Sequence, residues 1–411
     1  MKIAVIGTLD TKGDETGFLA DTLARLGHEP VVIDPGILGT PALKADVTRQ
    51  EIAQAGGESL ESLIARKDKA HAQSVMIDGL IRVVTALHDR GELAGVVAVG
   101  GAQGTALATA AMRALPVGVP KVMLSTVACG LTTFGPYVGN KDICMFHSVA
   151  DISGLNRVTY RLLAQAAHAV AAMASVPPVS ASEKELVAIT QAGITTPGVM
   201  AVKERLERLG FEVIAFHCNG IGSQAMEEMV SDGVIQGVID FSPHDVTDML
   251  YGGLMPGVPD RMLAIAKAGV PFVVVPGCTD IRLYGTGPDL PAELRQRACV
   301  QHTPTHTHVR TSAEEMAGVA HFIAELLNAG RGPRAALVPL RGFSMLNRAG
   351  GPLYDEAANM AYVETLRREL SPDVKLVEVD AHVNDAAFAG VTVDTFLKLR
   401  AEAKRPAPEA V

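Results

Sequence analysis

The chain has no tryptophan, and aromatic residues make up only 4% of its 411 residues. A core without large rings must be filled by Ala, Val, Leu, Ile and Met, as in α/β proteins with many short helix–sheet contacts. Cysteine is also scarce. Cys129, Cys144, Cys218, Cys278 and Cys299 are odd in number and form no C-x-x-C pair. That excludes a disulfide framework and fits a reducing cytoplasm. No apolar run reaches the ~18 residues of a transmembrane helix, so no membrane partner is expected. The longest candidate, "LLAQAAHAVAAMASVPP", is cut by Gln165 and His168 and reads as a buried or amphipathic helix. "KIAVIG" at the start lacks the long apolar region and cleavage site of a signal peptide. There is no excess of basic charge either. Net charge is −9, and a nucleic-acid backbone demands a basic face, so nucleic acid is not an expected partner. Finally, the Walker pattern G-x-x-x-x-G-K-[ST] occurs nowhere.

What is present is a repeat. "AVIGTLDTKGDETGFLADTLARLGHEPVVID" from Ala4 resembles "VAITQAGITTPGVMAVKERLERLGFEVIAFH" from Val187. Each reads as strand, polar loop, helix, "LG-x-E" and strand. Gly27 and Gly210 stand where helix-ending glycines belong. The echo continues in "GELAGVVAVGGAQGT" and "GVIQGVIDFSPHDVT", then in "GVPKVMLSTVACG" and "AGVPFVVVPGCTD". Alternating helices and nearly continuous Val/Ile/Leu strands predict parallel sheets covered on both faces. The expected fold is therefore α/β, with two Rossmann-like doubly wound domains and a cleft between them. The boundaries are residues 1–178 and 179–405, joined through the Pro/Ser stretch "SVPPVSASEK", with 406–411 as a frayed tail.

In such sheets, ligands bind beyond the carboxyl ends of the strands. "GGAQGT" supplies Gly100, Gly101, Gly104 and Thr105 ahead of an Ala-rich helix. Closely spaced glycines let backbone N–H groups approach an anion, and the helix N-terminus favours it. The plainer reading is a tight turn with Thr105 as the helix cap. "TLDTKGDE" offers Thr8, Thr11, Asp10 and Lys12, where Lys12 could neutralise a phosphate and Asp10 could hold a metal ion or a ribose hydroxyl. Taken alone it reads equally as a soluble turn. "STVACG" adds the hydroxyls of Ser125 and Thr126. The polar stretch from Tyr137 to Arg161 could line a cleft or satisfy a domain junction.

In the second half, His217, Asn219, Asp240, His244, Asp245 and Asp280 fall at strand exits. "QHTPTHTHVRT" places His306 and His308 on one face if it is extended, but a lone H-x-H is a weak metal signal. Near the end, Arg341 follows the strand "AALVPL", and "VEVDAHVND" carries Asp380, His382 and Asn384. Strand alternation would put those three on one side. A histidine between a carboxylate and an amide can work as a tuned acid–base group. These four are the catalytic candidates, and an edge strand with a satisfied histidine is the alternative.

The set "GTLDTKG", "VGGAQGT", "LSTVACG", "DISGLNR", "TTPGV", "DRMLAIAKAGVP", "PGCTD", "PLRGFSMLNRAGGPLYD" and "DAHVNDAAFA" runs in order from residue 7 to about 389. In these motifs the chain resembles a family of uncharacterised bacterial and fungal proteins. That family shares the ATP-binding N-terminal region of tomato's tomato-mosaic-virus resistance protein. The resemblance implies two Rossmann-like domains, a homodimer, and nucleotide binding with ATP and Mg²⁺. It carries the nucleotide role onto Thr8, Asp10, Thr11, Lys12, Gly100, Gly101, Gly104, Thr105, Ser125 and Thr126, with Asp10 toward the metal. Ala102, Gln103 and Cys129 depart from the family pattern, and "FHCNGIGSQAMEE" and "PGCTDIRLYG" suggest a changed ligand in the second lobe. The expectation is a cytoplasmic ATP-binding enzyme acting on a small oxygen-rich metabolite. The alternatives are an isomerase or hydrolase of sugar acids or phosphosugars that uses no ATP, and a regulatory binding module.

Overall fold

The computed structural model describes residues 2–129, 134–177, 182–286 and 290–404. The chain divides into two compact units, Met1–Val179 and Ser180–Val411. Residues 178–181 of the expected linker, Gly130 of "STVACG" and the expected tail 406–411 lie outside the described residues.

In unit 1 the strands are β1 (Lys2–Ile6), β2 (Glu29–Ile33), β3 (Leu93–Gly100), β4 (Lys121–Ser125) and β5 (Cys144–His147). They form one parallel sheet in the order β2-β1-β3-β4-β5. Pleating sorts each strand between two cores. Ala4 and Ile6 of β1 pack with Met76, Leu80, Leu107 and Met112 from the helices Lys69–Asp89 and Ala102–Arg113. Ile3 and Val5 pack with Leu19, Leu23, Leu163 and Val170 from the helices Gly13–Arg25 and Arg157–Ala174. The latter helix holds residues 162–174 of the longest apolar run noted in the sequence and is amphipathic, one of the two readings given for it. Both faces are thus covered, which is why the strands read as continuous apolar runs.

Unit 2 repeats the plan. Its strands β6 (Leu186–Gln191), β7 (Glu212–His217), β8 (Gly237–Asp240) and β9 (Phe272–Val274) correspond to β1–β4. Three strands follow outside the main sheet: β10 (Ile281–Tyr284), β11 (Cys299–Thr303) and β12 (His306–Arg310). Then β13 (Arg334–Pro339) and β14 (Lys375–Val379) complete a parallel sheet in the order β14-β13-β9-β8-β6-β7. Read from its second strand, each sheet runs 2-1-3-4-5, the doubly wound order in which the chain reverses direction beside its first strand. One feature departs from the expected all-parallel design. β10, β12 and β11 form a separate antiparallel sheet, built partly from the Thr- and His-rich segment, which is extended over His306–Arg310.

Candidate functional site

The reversal in strand order leaves a crevice between the exits of β1 and β3. A cavity of about 750 Å³ opens there, within the range typical of small-molecule sites. The β1 exit contributes Thr8, Asp10, Thr11 and Lys12, and the β3 exit contributes Gly101 to Gly104. Two loops about ninety residues apart in sequence therefore face one space because parallel strands end on the same side.

The close packing that permits this is visible in two glycines. A Cβ on Gly7 would lie 2.1 Å from Thr16 Oγ, and one on Gly100 would lie 2.9 Å from the Gly104 Cα. Neither space exists, so the helices start hard against their strands. The second helix begins at Ala102, earlier than the sequence reading placed it, with extended Gly101 as its cap residue and no side-chain cap. Its first intrahelical bond is from Thr105 N to Gly101 O, 2.8 Å. The amides of Ala102, Gln103 and Gly104 precede it and have no helical acceptor, and all three residues line the cavity.

Other groups hold this floor in place. Lys12 donates from Nζ to the Ile152 carbonyl, and Thr8 Oγ and Thr11 Oγ are 3.0 Å apart. Asp34, buried at the end of β2, accepts from Leu9 N and Gly36 N and pairs with buried Arg49 at 2.8 Å. Arg49 also donates to the carbonyls of Leu38 and Gly39 and approaches Asp10 to 3.8 Å. Asp34 thus fastens the β1 and β2 loops together instead of facing a ligand. A wall of Ile37, Leu38, Leu63 and Ile64 is apolar, with Leu38 63% exposed and Ile64 42% exposed. Lys67 and Lys69 add cations at the rim. The sequence reading missed this wall and these two lysines. Ile37 and Leu38 follow β2, whereas Leu63 to Lys69 belong to no strand exit and are delivered by the path of the chain.

The remaining nucleotide candidates are placed elsewhere. Thr105 and Ser125 are fully buried, and their hydroxyls bond each other at 2.6 Å. Ser125 Oγ also accepts from Val127 N. Thr105 is therefore neither a helix cap nor a cavity group, and it ties β4 to the first turn of the helix. Gly100 and Thr126 are joined by a Thr126 N to Gly100 O bond of 3.3 Å and do not line the cavity. In the polar stretch before the helix Arg157–Ala174, Asp142 pairs with Lys121, and Asn156 caps the helix. Those groups are spent locally.

The catalytic candidates are corrected more sharply. β14 ends at Val379, so Asp380, His382 and Asn384 lie in a turn and do not share a strand face. Arg341 and Asp380 form a two-point ion pair at 2.6 Å with side chains 63% and 71% exposed. Buried His382 sets Nε2 against the Ser344 carbonyl at 2.8 Å, while Nδ1 accepts from Asn384 N. A carbonyl can only accept, so the proton sits on Nε2 and the tautomer is fixed. Burial lowers its pKa from the ordinary value. Asn384 bridges Gly198 N and the Ile194 carbonyl. The histidine is satisfied, as in the alternative reading, but in a turn instead of an edge strand.

At the strand exits of unit 2 the acids are also internal. Fully buried Arg261 donates to Asp240, Asp245 and Glu227 at 2.6–2.9 Å. Asp240 takes a further bond from Thr190. Burial raises the pKa values of Glu227 and Asp240 despite the guanidinium, since three carboxyls share one cation. Burial also pushes the Cys218 and Cys278 thiols up, which keeps them protonated.

Fold and cavity define a two-domain, doubly wound α/β protein with a cavity of about 750 Å³ at the strand reversal of unit 1. Two family models cover nearly the whole chain: the uncharacterised UPF0261 N-terminal domain over residues 1–178 and the C-terminal domain over 184–400. The chain belongs to the UPF0261 family. It is 39% identical to a UPF0261 protein of Clostridium tetani, over 94% of this chain and 96% of that one. It is 33% identical to the ToMV resistance protein Tm-1(GCR237) of Solanum lycopersicum, over 97% of this chain but 56% of that protein. Among solved structures, the UDP-GlcNAc 2-epimerase of Methanocaldococcus jannaschii aligns over 97% of this chain and 93% of that one, with 10% identity and a TM-score of 0.20. A putative epimerase from Listeria monocytogenes aligns over 100% and 99%, with 12% identity and a TM-score of 0.24. Those scores are too low for the enzymes' chemistry to bear on this chain. Among the described residues no helix is long and apolar enough to cross a membrane.

Proposed function

We propose that unit 1 binds a nucleotide, with ATP·Mg²⁺ as the ligand, in the cavity between the β1 and β3 exits. The observation that carries this is the uncapped helix start at Gly101–Gly104, facing the same space as Lys12. Free amides and the helix dipole favour phosphate oxygens, and the ammonium adds a full charge. The apolar wall around Leu38 and Ile64 suits the flat base at the other end.

Magnesium takes few protein ligands and shares phosphate oxygens. Asp10, which lines the cavity, fits as its one carboxylate. Among the described residues no three His, Cys, Asp or Glu side chains could hold a metal ion by themselves, which suits an ion that arrives with the phosphates. Bound there, magnesium would screen the phosphate charge.

Use of that nucleotide by a cytoplasmic enzyme on a small oxygen-rich metabolite completes the reading. Calorimetric titration with ATP·Mg²⁺ tests the binding step. Saturable heat is expected, with affinity falling at least about tenfold in Lys12→Ala. Absence of heat, or unchanged affinity in that variant, refutes it.

A further inference from the structure

Unit 2 has its own cavity at the corresponding strand reversal, about 210 Å³ in volume and roofed by β11 and β12. Five histidines line it: His217 at the end of β7, His244 after β8, His302 of β11, and His306 and His308 of β12. Among the described residues no Asp, Glu, Lys or Arg does.

Their other contacts decide what each ring offers. His244 Nδ1 lies 3.2 Å from the Cys278 carbonyl, and Nε2 lies 3.3 Å from Asp248. Both partners accept, so both ring nitrogens carry protons. Burial opposes that cation, but Asp248 and the carbonyl outweigh it and raise the pKa. His217 Nδ1 faces the Gln191 carbonyl at 3.0 Å and must donate, so in the neutral ring the acceptor is Nε2. His308 is 6% exposed, and its Nδ1 has no hydrogen-bond partner. Buried polar atoms are seldom left so. Its ring stacks on His302 at 4.5 Å and 20°.

Stacked rings hold their lone pairs side by side instead of converging, and no group of three described side chains could hold a metal ion. The cavity has room on the order of seven waters at ~30 Å³ each, too little for a nucleotide. Imidazoles without a lining carboxylate suit an anion, and the lone pair on His217 suits a hydroxyl. We propose that this cavity binds a small hydroxycarboxylate, with its carboxylate against the His302–His308 pair and a hydroxyl donating to His217 Nε2.

The groups facing His308 are His302, His306, His244 and Asp248. Burial first, then His302 and His244, hold its pKa down to about 4. A bound carboxylate supplies the missing counter-charge, so binding takes up a proton.

The test is calorimetry on the full chain with L-malate and D-gluconate near pH ~6, in two buffers of different protonation enthalpy. Saturable binding of at least one acid with proton uptake is expected. Affinity should fall about tenfold in His308→Gln and in exposed His302→Ala, which guards against misfolding of the buried variant. ATP binding, read separately in the same variants, stays unchanged. No saturable heat with either acid, equal affinity in both variants, or stoichiometric Zn²⁺ uptake in place of acid binding would overturn the proposal.

Discussion

The two units share strand order and loop positions, yet their strand exits carry opposite designs. In unit 1 the exits are open. Glycines, hydroxyls and Lys12 border a cavity of about 750 Å³, and a buried ion pair, Asp34–Arg49, stands behind it as a brace. In unit 2 the exits are closed. Asp240, Asp245 and Glu227 turn inward onto Arg261, and the inserted antiparallel sheet leaves about 210 Å³ lined by histidine. The comparison teaches that strand reversal fixes where a cavity forms, while insertions and loop chemistry fix its size and ligand class.

Removing the buried cations should break the comparison most strongly. Arg261→Ala leaves three buried carboxyls without a counter-charge and should cost about 3–5 kcal/mol, whereas Arg49→Ala orphans one and should cost nearer the lower end. Amide hydrogen exchange mapped by unit checks this: protection should fall in unit 2 for the first variant and in unit 1 for the second. Equal loss in both units would show that the braces are not local.

A smaller effect is expected inside unit 1. Ser125→Ala strands the Thr105 hydroxyl and Val127 N, a cost of about 1–3 kcal/mol. Denaturant unfolding should report that loss while ATP affinity holds, because neither hydroxyl lines the cavity. A collapse of affinity with stability intact would return Thr105 and Ser125 to the ligand.

The smallest effect belongs to Arg341→Ala. Its ion pair with Asp380 is exposed and screened by solvent, so the change should leave the denaturant midpoint unmoved and binding of ATP and of hydroxy acids untouched. Loss of either binding would restore Arg341 as a functional group.

The sequence determined much of this by itself. Apolar strands alternating with amphipathic helices specify two parallel α/β units, because period and burial are local properties of the chain. The repeat fixes the matching order of elements, and the strand-exit rule points to "TLDTKG" and "GGAQGT", whose residues border the unit 1 cavity. What tertiary structure alone decided is which polar groups remain available. Thr105 and Ser125 look like Thr8 and Thr11 in sequence, yet they bond each other between the first turn of the helix and the end of β4 because the helix starts hard against β3. Asp380, His382 and Asn384 alternate as a strand would, yet a turn spends His382 and Asn384 on backbone partners. His302 and His308 are six residues apart in a polar stretch, and only the β11–β12 pairing stacks their rings beside one cavity. A side chain's chemistry is written in its residue type, but its partners come from distant segments, and a buried hydrogen bond removes a group from solvent and ligand alike.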